Sequence, residues 1–525
     1  MTVYGLILVI NSNFGIIDDH HFLDSLLSGK PMHYFVMPEI GRFFPLAARE
    51  YSLISFLSNS VTAFYIYNFL QYVTLIFLMY KIQVSLVSDK YKNLILSSLF
   101  LLSLSPGFVT SWFRLFVPER NVLFFSVVFL FSYLRFDKNQ QWIYAIIGIF
   151  AVNVALYYKE PSFLLFGGFA IFHLYFSSRE SNFKKLFFDL AIILSSLVFL
   201  IFYYFEVFQY KGNQLYGFTT INPFLVLTKN LFNLCLGDPV VIFLLMPLFF
   251  WRSFLICFNK EKPHPLFDSL IFASLLYVFV FFKLNMYAYH YLLPIYAFSI
   301  TALLHFFLAD RRCNNKYFKF LGGLSILFIV LSTVPMSAHL ISRYKNDTNN
   351  FQKTLYFLNS YIKDKSRNSK RVVLFLDGVN KGSGVEVYNS FIKNLEFMGL
   401  TSRQFDFKVL DPDDGIMGAA MINRNSKYTA FNQITESYIQ SGDLLLMTPH
   451  SQKYFGLEGS EISSKLNEYV LIFHADSFLS IPNYGIKAFL KSTLKNTDFR
   501  SSNDKVIISE NVYALPLDYY IFRKN

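Results

Sequence analysis

The chain has 525 residues, 54% of them hydrophobic and 19% aromatic, with a mean hydropathy of +0.38 and a formal net charge of +12. Soluble domains are about 45–50% apolar and lack repeated long apolar runs, so an ordinary soluble protein is excluded and a polytopic α-helical membrane protein is expected, because helices satisfy their own backbone in lipid. The positive charge does not mark a nucleic-acid binder, since the basic residues sit mostly in loops between apolar runs and no nucleic acid is expected as a partner.

Met1–Ile17 is apolar, with neither a basic n-region nor an A-x-A site. It reads as a short first span or as an N-terminus lacking a few residues. Asp18-Asp19-His20-His21 follows at once. An acidic pair at a membrane surface is costly to dehydrate, so it is wet, paired or chemically employed. The aspartates either cap the next helix or act as a general base or metal ligands, and one carboxylate beside another has a raised pKa, which suits a base. Asp18, Asp19 and His20 are the candidate ligands of a divalent ion, Mg2+ or Mn2+. His21 could join them, and the histidines could instead bind an anion or do neither.

Residues 18–60 are too long for a mere connector. Gly41-Arg42-Phe43-Phe44-Pro45 leads into Leu46–Leu57, which reads as an interfacial amphipathic helix broken by Arg49 and Glu50. Arg42 either binds phosphate or snorkels to headgroups. Later spans are expected near 61–80, 93–111, 121–135, 141–157, 161–177, 187–206, 238–256, 268–285, 288–308 and 318–339, about eleven with the first, at about 20 apolar residues each.

Between these spans, Arg114 and Arg120 flank Pro118-Glu119 and suit bidentate phosphate binding, or form a surface pair and headgroup contacts. Lys159-Glu160 precedes Pro161, which opens a helix; the pair either faces a substrate or is an ordinary turn. Tyr287, Tyr289, His290 and Tyr291 are an interfacial aromatic belt or, through His290, an anion contact. Cys235, Cys257 and Cys313 show no metal or disulfide spacing. Asn346-Asp347-Thr348 is a glycosylation sequon, without meaning in a bacterial host.

With the N-terminus inside, the inner loops carry Lys81, Lys90 and Lys92; Arg135 and Lys138; Arg179, Lys184 and Lys185; Arg252, Lys260 and Lys262; and Arg311, Arg312, Lys316 and Lys319. That agrees with the positive-inside rule. It places the polar clusters at 18–21, 41–45, 114–120, 158–161 and 287–291 on the outer face, where they are expected to share one site. The abundance of Phe, Lys, Asn and Ile suggests an AT-rich bacterial genome, hence a multi-pass protein of the bacterial cytoplasmic (inner) membrane.

Beyond residue 345 no span-length run remains. Short apolar runs at Val372–Leu376, Asp443–Met447, Tyr469–Phe473 and Val506–Ile508, with a helical stretch at Val385–Phe397, predict a C-terminal extracytoplasmic α/β domain over 345–525, after a membrane domain over 1–340.

A span followed by Asp-Asp, a long first outer loop with interfacial helices, many further spans and a terminal extracytoplasmic domain resembles the GT-C superfamily of membrane glycosyltransferases. The segments Gly41-Arg42-Phe43-Phe44-Pro45-Leu46 and Tyr157-Tyr158-Lys159-Glu160-Pro161 are similar to stretches in bacterial members, and the resemblance covers roughly residues 1–340. It implies a polyprenyl-phosphate sugar donor and an extracytoplasmic glycan, lipid or protein acceptor. Asp18 or Asp19 would be the base. Arg42, Arg114, Arg120, Lys159 and His290 would meet the donor phosphate, supported by Glu119, Glu160 and Tyr289. A single displacement would invert the anomeric configuration. An O-antigen polymerase or other lipid-linked glycan protein, a transporter, and a structural membrane protein with a binding domain remain the alternatives.

Overall fold

The computed structural model describes residues 2–32, 34–87, 89–177, 183–210, 223–258, 260–284, 286–309, 315–367, 371–376, 384–409, 440–449, 469–477, 480–482, 484–486 and 517–525. Arg179, Arg311, Arg312, Cys313 and the run Val506–Ile508 lie outside them. The chain divides into two compact units. The first comprises Met1–Leu8, Tyr34–Glu50 and Tyr65–Ser337; the second comprises Val9–His33, Tyr51–Phe64 and Ala338–Asn525. The first loop therefore contributes to both.

The first unit is helical. Among the described residues of the chain as a whole, four helices are long and apolar enough to cross a membrane: Val61–Leu86, Phe183–Tyr210, Pro265–Lys283 and the 52-residue run Lys316–Arg367. Two bent pairs raise the number to six if each is one span: Lys92–Ser103 with Pro106–Phe113 (62°) and Leu227–Gly237 with Val241–Cys257 (105°). Trp142–Leu156, Ser162–Ser177 and Leu293–Ala309 are apolar but shorter. At about 1.5 Å per residue they fall short of the roughly 30 Å hydrocarbon core. The first expected span is an 8-residue helix, α1 (Thr2–Val9). The eleven expected spans thus include stretches whose hydropathy is high but whose helices are short or bent.

The breaks have local causes. Helix α2 (His20–Ser28) and α3 (Arg49–Ser55) belong to the first loop, and α4 is Val61–Leu86. Between α5 (Lys92–Ser103) and α6 (Pro106–Phe113), Ser105 caps α6 by accepting the Phe108 amide, and Pro106 cannot continue a helix from behind. Pro118 precedes α7 (Glu119–Asn139), and Gln140 in the left-handed region turns the chain into α8 (Trp142–Leu156). Helices α9 (Ser162–Ser177) and α10 (Phe183–Glu206) follow, and α10 packs on α8 over Gly148, where a Cβ would meet the Phe188 ring. Helix α11 (Pro223–Gly237) ends at Asp238-Pro239. A π-helical turn, Val241–Leu245, then leads into α12 (Met246–Cys257).

Helix α13 (Pro265–Lys283) packs on α9 and on α14 (Tyr296–Leu304). Arg252 of α12, expected as a loop cation, is fully buried. Its Nε and Nη2 donate to Asp268 of α13 at 2.7 Å each, and Nη1 donates to Glu261 at 2.6 Å. Helices α15 (Lys316–Phe328) and α16 (Val334–Arg367) form one run through a π-helical turn.

The second unit contains a five-stranded sheet. After a short hairpin of β1 (Val36–Met37) and β2 (Arg42–Phe43) in the first unit, the strands are β3 (Val372–Leu376), β4 (Phe405–Val409), β5 (Leu444–Met447), β6 (Tyr469–Ala475) and β7 (Tyr519–Lys524), in the spatial order β4-β3-β5-β7-β6. Strand β3 is parallel to β4 and to β5, whereas β7 is antiparallel to β5 and β6. Helix α17 (Gly384–Phe397) is the crossover between β3 and β4 that a parallel pair requires. Val387, Phe391 and Leu395 at helical spacing pack with Leu374, Phe407 and Leu444 of the strands and Phe351, Leu355 and Leu358 of α16. Three of the four expected apolar runs are strands, and the helical stretch is α17.

Candidate functional site

The acidic pair lies in the second unit, in a strained turn. Ile17 and Asp18 both adopt positive φ, +72° and +65°. For a β-branched residue this is a true outlier, and it persists only where the surroundings over-determine it. Here they do. The Ile17 amide donates to Ser390 Oγ at 3.0 Å, and the Ile17 side chain packs against the core that α17 shares with the sheet.

Asp18 is half-buried and Asp19 is 5% exposed. Asp19 stands at the N-cap of α2 but makes no side-chain cap bond; its Oδ2 accepts the Gly15 amide at 2.7 Å instead. The turn is thus closed on itself by Asp19, while Asp18 is the more accessible carboxylate.

Helix α17 faces this turn with a polar stripe. Glu386, Ser390 and Lys393 recur at helical spacing, and all are buried. His20 Nδ1 lies 3.2 Å from Glu386 Oε2, and the His20 and His21 rings sit 4.1 Å apart. Lys393 pairs with Asp24 of α2 at 2.6 Å. Burial raises the Glu386 carboxyl to about 8, helped by the nearby charge of Asp18 and opposed by the Asp18 amide. Burial, with His21 and Lys393 beside it, holds His20 well below its ordinary value.

Among the described residues, the ligand atoms of His20, His21 and Glu386 lie within 4.8 Å of one another. This set shares His20 with the expected metal ligands and replaces Asp18 and Asp19 by His21 and Glu386. Two imidazoles and one carboxylate suit zinc or manganese; Mg2+ prefers oxygen donors alone. Glu386 was not singled out in the sequence. Its signal was there, in a run of polar residues at i, i+4 and i+7 on a helix whose other face is apolar.

The cationic residues form a second cluster, in the first unit. Arg42 Nε donates to Glu160 Oε1 at 2.9 Å, and the Phe43 amide donates to the same oxygen at 2.8 Å. Arg42 also stacks over the Phe44 ring at 4.7 Å. Lys159 pairs with Glu119 at 2.8 Å, its ammonium 5.3 Å from the Tyr291 ring centroid. Burial pushes both glutamates up, but the cations outweigh it: Lys159 and His290 hold Glu119, and Arg42 and Lys159 hold Glu160, below the ordinary 4.5.

Arg120 is fully buried. Its Nη1 donates to the Ser111 and Arg114 carbonyls, and Nη2 lies 3.5 Å from Glu50. That geometry makes it an organiser of the 111–120 turn rather than an accessible cation. Glu50, noted in the sequence only as breaking an apolar stretch, is a hub: it accepts from Asn121 Nδ2 at 2.6 Å and from Tyr158 OH at 2.9 Å.

Arg114 is half-buried in extended backbone at the end of α6. His290 lies against Tyr291, with ring centroids 4.7 Å apart. The Tyr289 ring packs edge-on against Tyr287, with centroids 6.0 Å apart, and its carbonyl lies where a Cβ at Gly107 would collide with it. Tyr287, from the same segment, donates to buried Asp238 at 3.0 Å, as does Tyr296 at 2.5 Å.

The structure therefore gathers Arg42, Glu160, Lys159, Glu119 and His290 in the first unit and Asp18, Asp19 and His20 in the second. No protein-family model matches the chain, and no curated protein sequence matches it.

Proposed function

We propose that the protein is an integral-membrane glycosyltransferase that moves a sugar from a polyprenyl-phosphate donor to an extracytoplasmic glycan, lipid or protein, as its resemblance to the GT-C superfamily implies. The observation that carries the reading is the Ile17–Asp18 turn. Two adjacent non-glycine residues at positive φ hold an accessible carboxylate beside a buried one. Strain of this kind is retained where it positions a reacting group.

In the proposed reaction the acceptor oxygen attacks the anomeric carbon and the carbon–oxygen bond to the lipid phosphate breaks. Asp18 takes the hydroxyl proton, and the polyprenyl phosphate leaves with the bonding pair, inverting the configuration. Asp19 is a positioning residue, tied to the Gly15 amide. Arg42, Lys159, Arg114 and His290 are the candidates for the donor phosphate, as preorganised charge, with Glu160 pairing Arg42, Glu119 pairing Lys159 and Tyr289 a further supporting candidate. Arg120 supports them through the turn it organises. The localisation proposed with this activity is the bacterial cytoplasmic membrane, with about eleven membrane-embedded helices, the N-terminus inside and the C-terminal region outside.

The test is release of lipid phosphate from a panel of polyprenyl-phosphate sugars by purified wild type and by the Asp18→Asn and Asp19→Asn variants, with cell-envelope glycan as acceptor. Turnover should fall about 10²–10⁴-fold in Asp18→Asn, the usual worth of a general base, and less in Asp19→Asn. Equal turnover in all three proteins would remove the acidic pair from the chemistry.

A further inference from the structure

The histidine pair and Glu386 come from segments more than 360 residues apart in sequence, yet they meet in one buried cluster inside the second unit. Nothing in the proposed sugar transfer uses Glu386. His20 and Glu386 are each 5% exposed, and His20 Nδ1 completes no hydrogen bond although it is buried. Its approach to Glu386 Oε2 at 3.2 Å is not aligned as a hydrogen bond; a buried imidazole nitrogen left so is costly, and a metal ion between the two groups relieves that cost without a proton.

We propose that His20, His21 and Glu386 form a binding site for one first-row transition ion of the Zn2+ or Co2+ class, clipping α2 to α17. A tetrahedral ion with bonds of about 2.0–2.1 Å places its ligand atoms about 3.4 Å apart. The His20–Glu386 approach of 3.2 Å already has that spacing. His21, half-buried, reaches it by side-chain rotation within the 4.8 Å spread of the cluster. Three protein ligands leave a fourth position for water.

The scaffold is rigid enough to hold such a set. Helix α2 packs on α17, Lys393 bonds Asp24 across them, and the Ile17 amide is fixed to Ser390. The proposal does not depend on glycosyl transfer, because its readout is the ion itself.

The experiment uses the full chain in detergent, without a polyhistidine tag, stripped with chelator and titrated with Co2+ alone and then with Zn2+ as competitor. The wild type should take up about one equivalent, with the visible absorption of a tetrahedral cobalt site that Zn2+ abolishes and Mg2+ leaves intact. His21→Ala and Glu386→Gln should weaken uptake by about tenfold or more, since even outer-shell changes act on that scale. His474→Ala, which alters a histidine paired with Asp518, should not. Should Glu386→Gln fail to fold, His21→Ala decides, because His21 is half-buried and its loss leaves the core intact. Zn2+ should raise the wild-type melting temperature and not that of His21→Ala. Absence of stoichiometric uptake by the wild type, or equal uptake by wild type and His21→Ala, would overturn the proposal.

Discussion

Asp18 occupies a backbone region that asparagine tolerates nearly as well as aspartate and that β-branched residues avoid. Asp18→Asn should therefore fold like the wild type, whereas Asp18→Val should cost about 1–3 kcal/mol, read as a lower melting temperature in detergent. That difference separates chemistry from folding in any activity loss. Glu119 and Glu160 carry a pH dependence of known sign. Both are held below the ordinary 4.5 by Lys159 and Arg42, so each binds its proton more weakly folded than unfolded. Their stabilisation is complete above pH 4.5 and is lost as pH falls through the depressed folded values. The acid limb of the stability curve below pH 4.5 should flatten in Glu160→Gln; an unchanged limb would show that the Arg42 pair does not govern it. Lys159→Ala leaves Glu119 buried without its cation and should cost about 3–5 kcal/mol.

Elements are joined in this protein by buried polar clamps and by glycines at close approaches. Arg252 on α12 meets Asp268 on α13 through two parallel hydrogen bonds with no exposure of either side chain. Removing one partner strands a buried charge, so Asp268→Asn should be destabilising by about 3–5 kcal/mol, while Arg252→Met with Asp268→Leu should come close to neutral. Thermal unfolding of the single and double variants checks this, and additive losses would contradict it. Between α6 and the 287–291 segment the contact is steric. A Cβ at Gly107 would meet the Tyr289 carbonyl, a backbone atom that cannot swing aside. Gly107→Ala should destabilise by about 1–3 kcal/mol, and it should shift Tyr289 and His290 with it.

For the whole molecule, the long apolar helices make it a membrane protein, and the proposed orientation has a direct test. Tyr484 is 70% exposed in the second unit. In a chain with Cys235, Cys257 and Cys313 replaced by serine, Tyr484→Cys should react with a membrane-impermeant maleimide in intact cells. Labelling only after the cells are opened would reverse the orientation.

Composition and hydropathy fixed the environment of the chain, because transfer of apolar surface is additive along a sequence and needs no fold to be counted. Strands β3, β5 and β6 were legible as short continuous apolar runs, and helix α17 through its helical period, both of which are local signals. What hydropathy could not reveal is helix length, since Pro106, Pro118, Asp238-Pro239 and Pro161 cut apolar stretches into pieces. Nor could it reveal pairing. Arg252 and Arg120 read as loop cations until Asp268, Glu50 and backbone carbonyls took up their donors. Asp18-Asp19-His20-His21 stood out in the sequence, but Glu386 became its neighbour only through the tertiary fold. The β3–α17–β4 crossover alone determines which face of α17 turns away from the sheet, and that face carries Glu386, Ser390 and Lys393 to the acidic turn. Contacts between residues so distant in sequence are set by how the core packs, a property of the assembled volume and not of any local run.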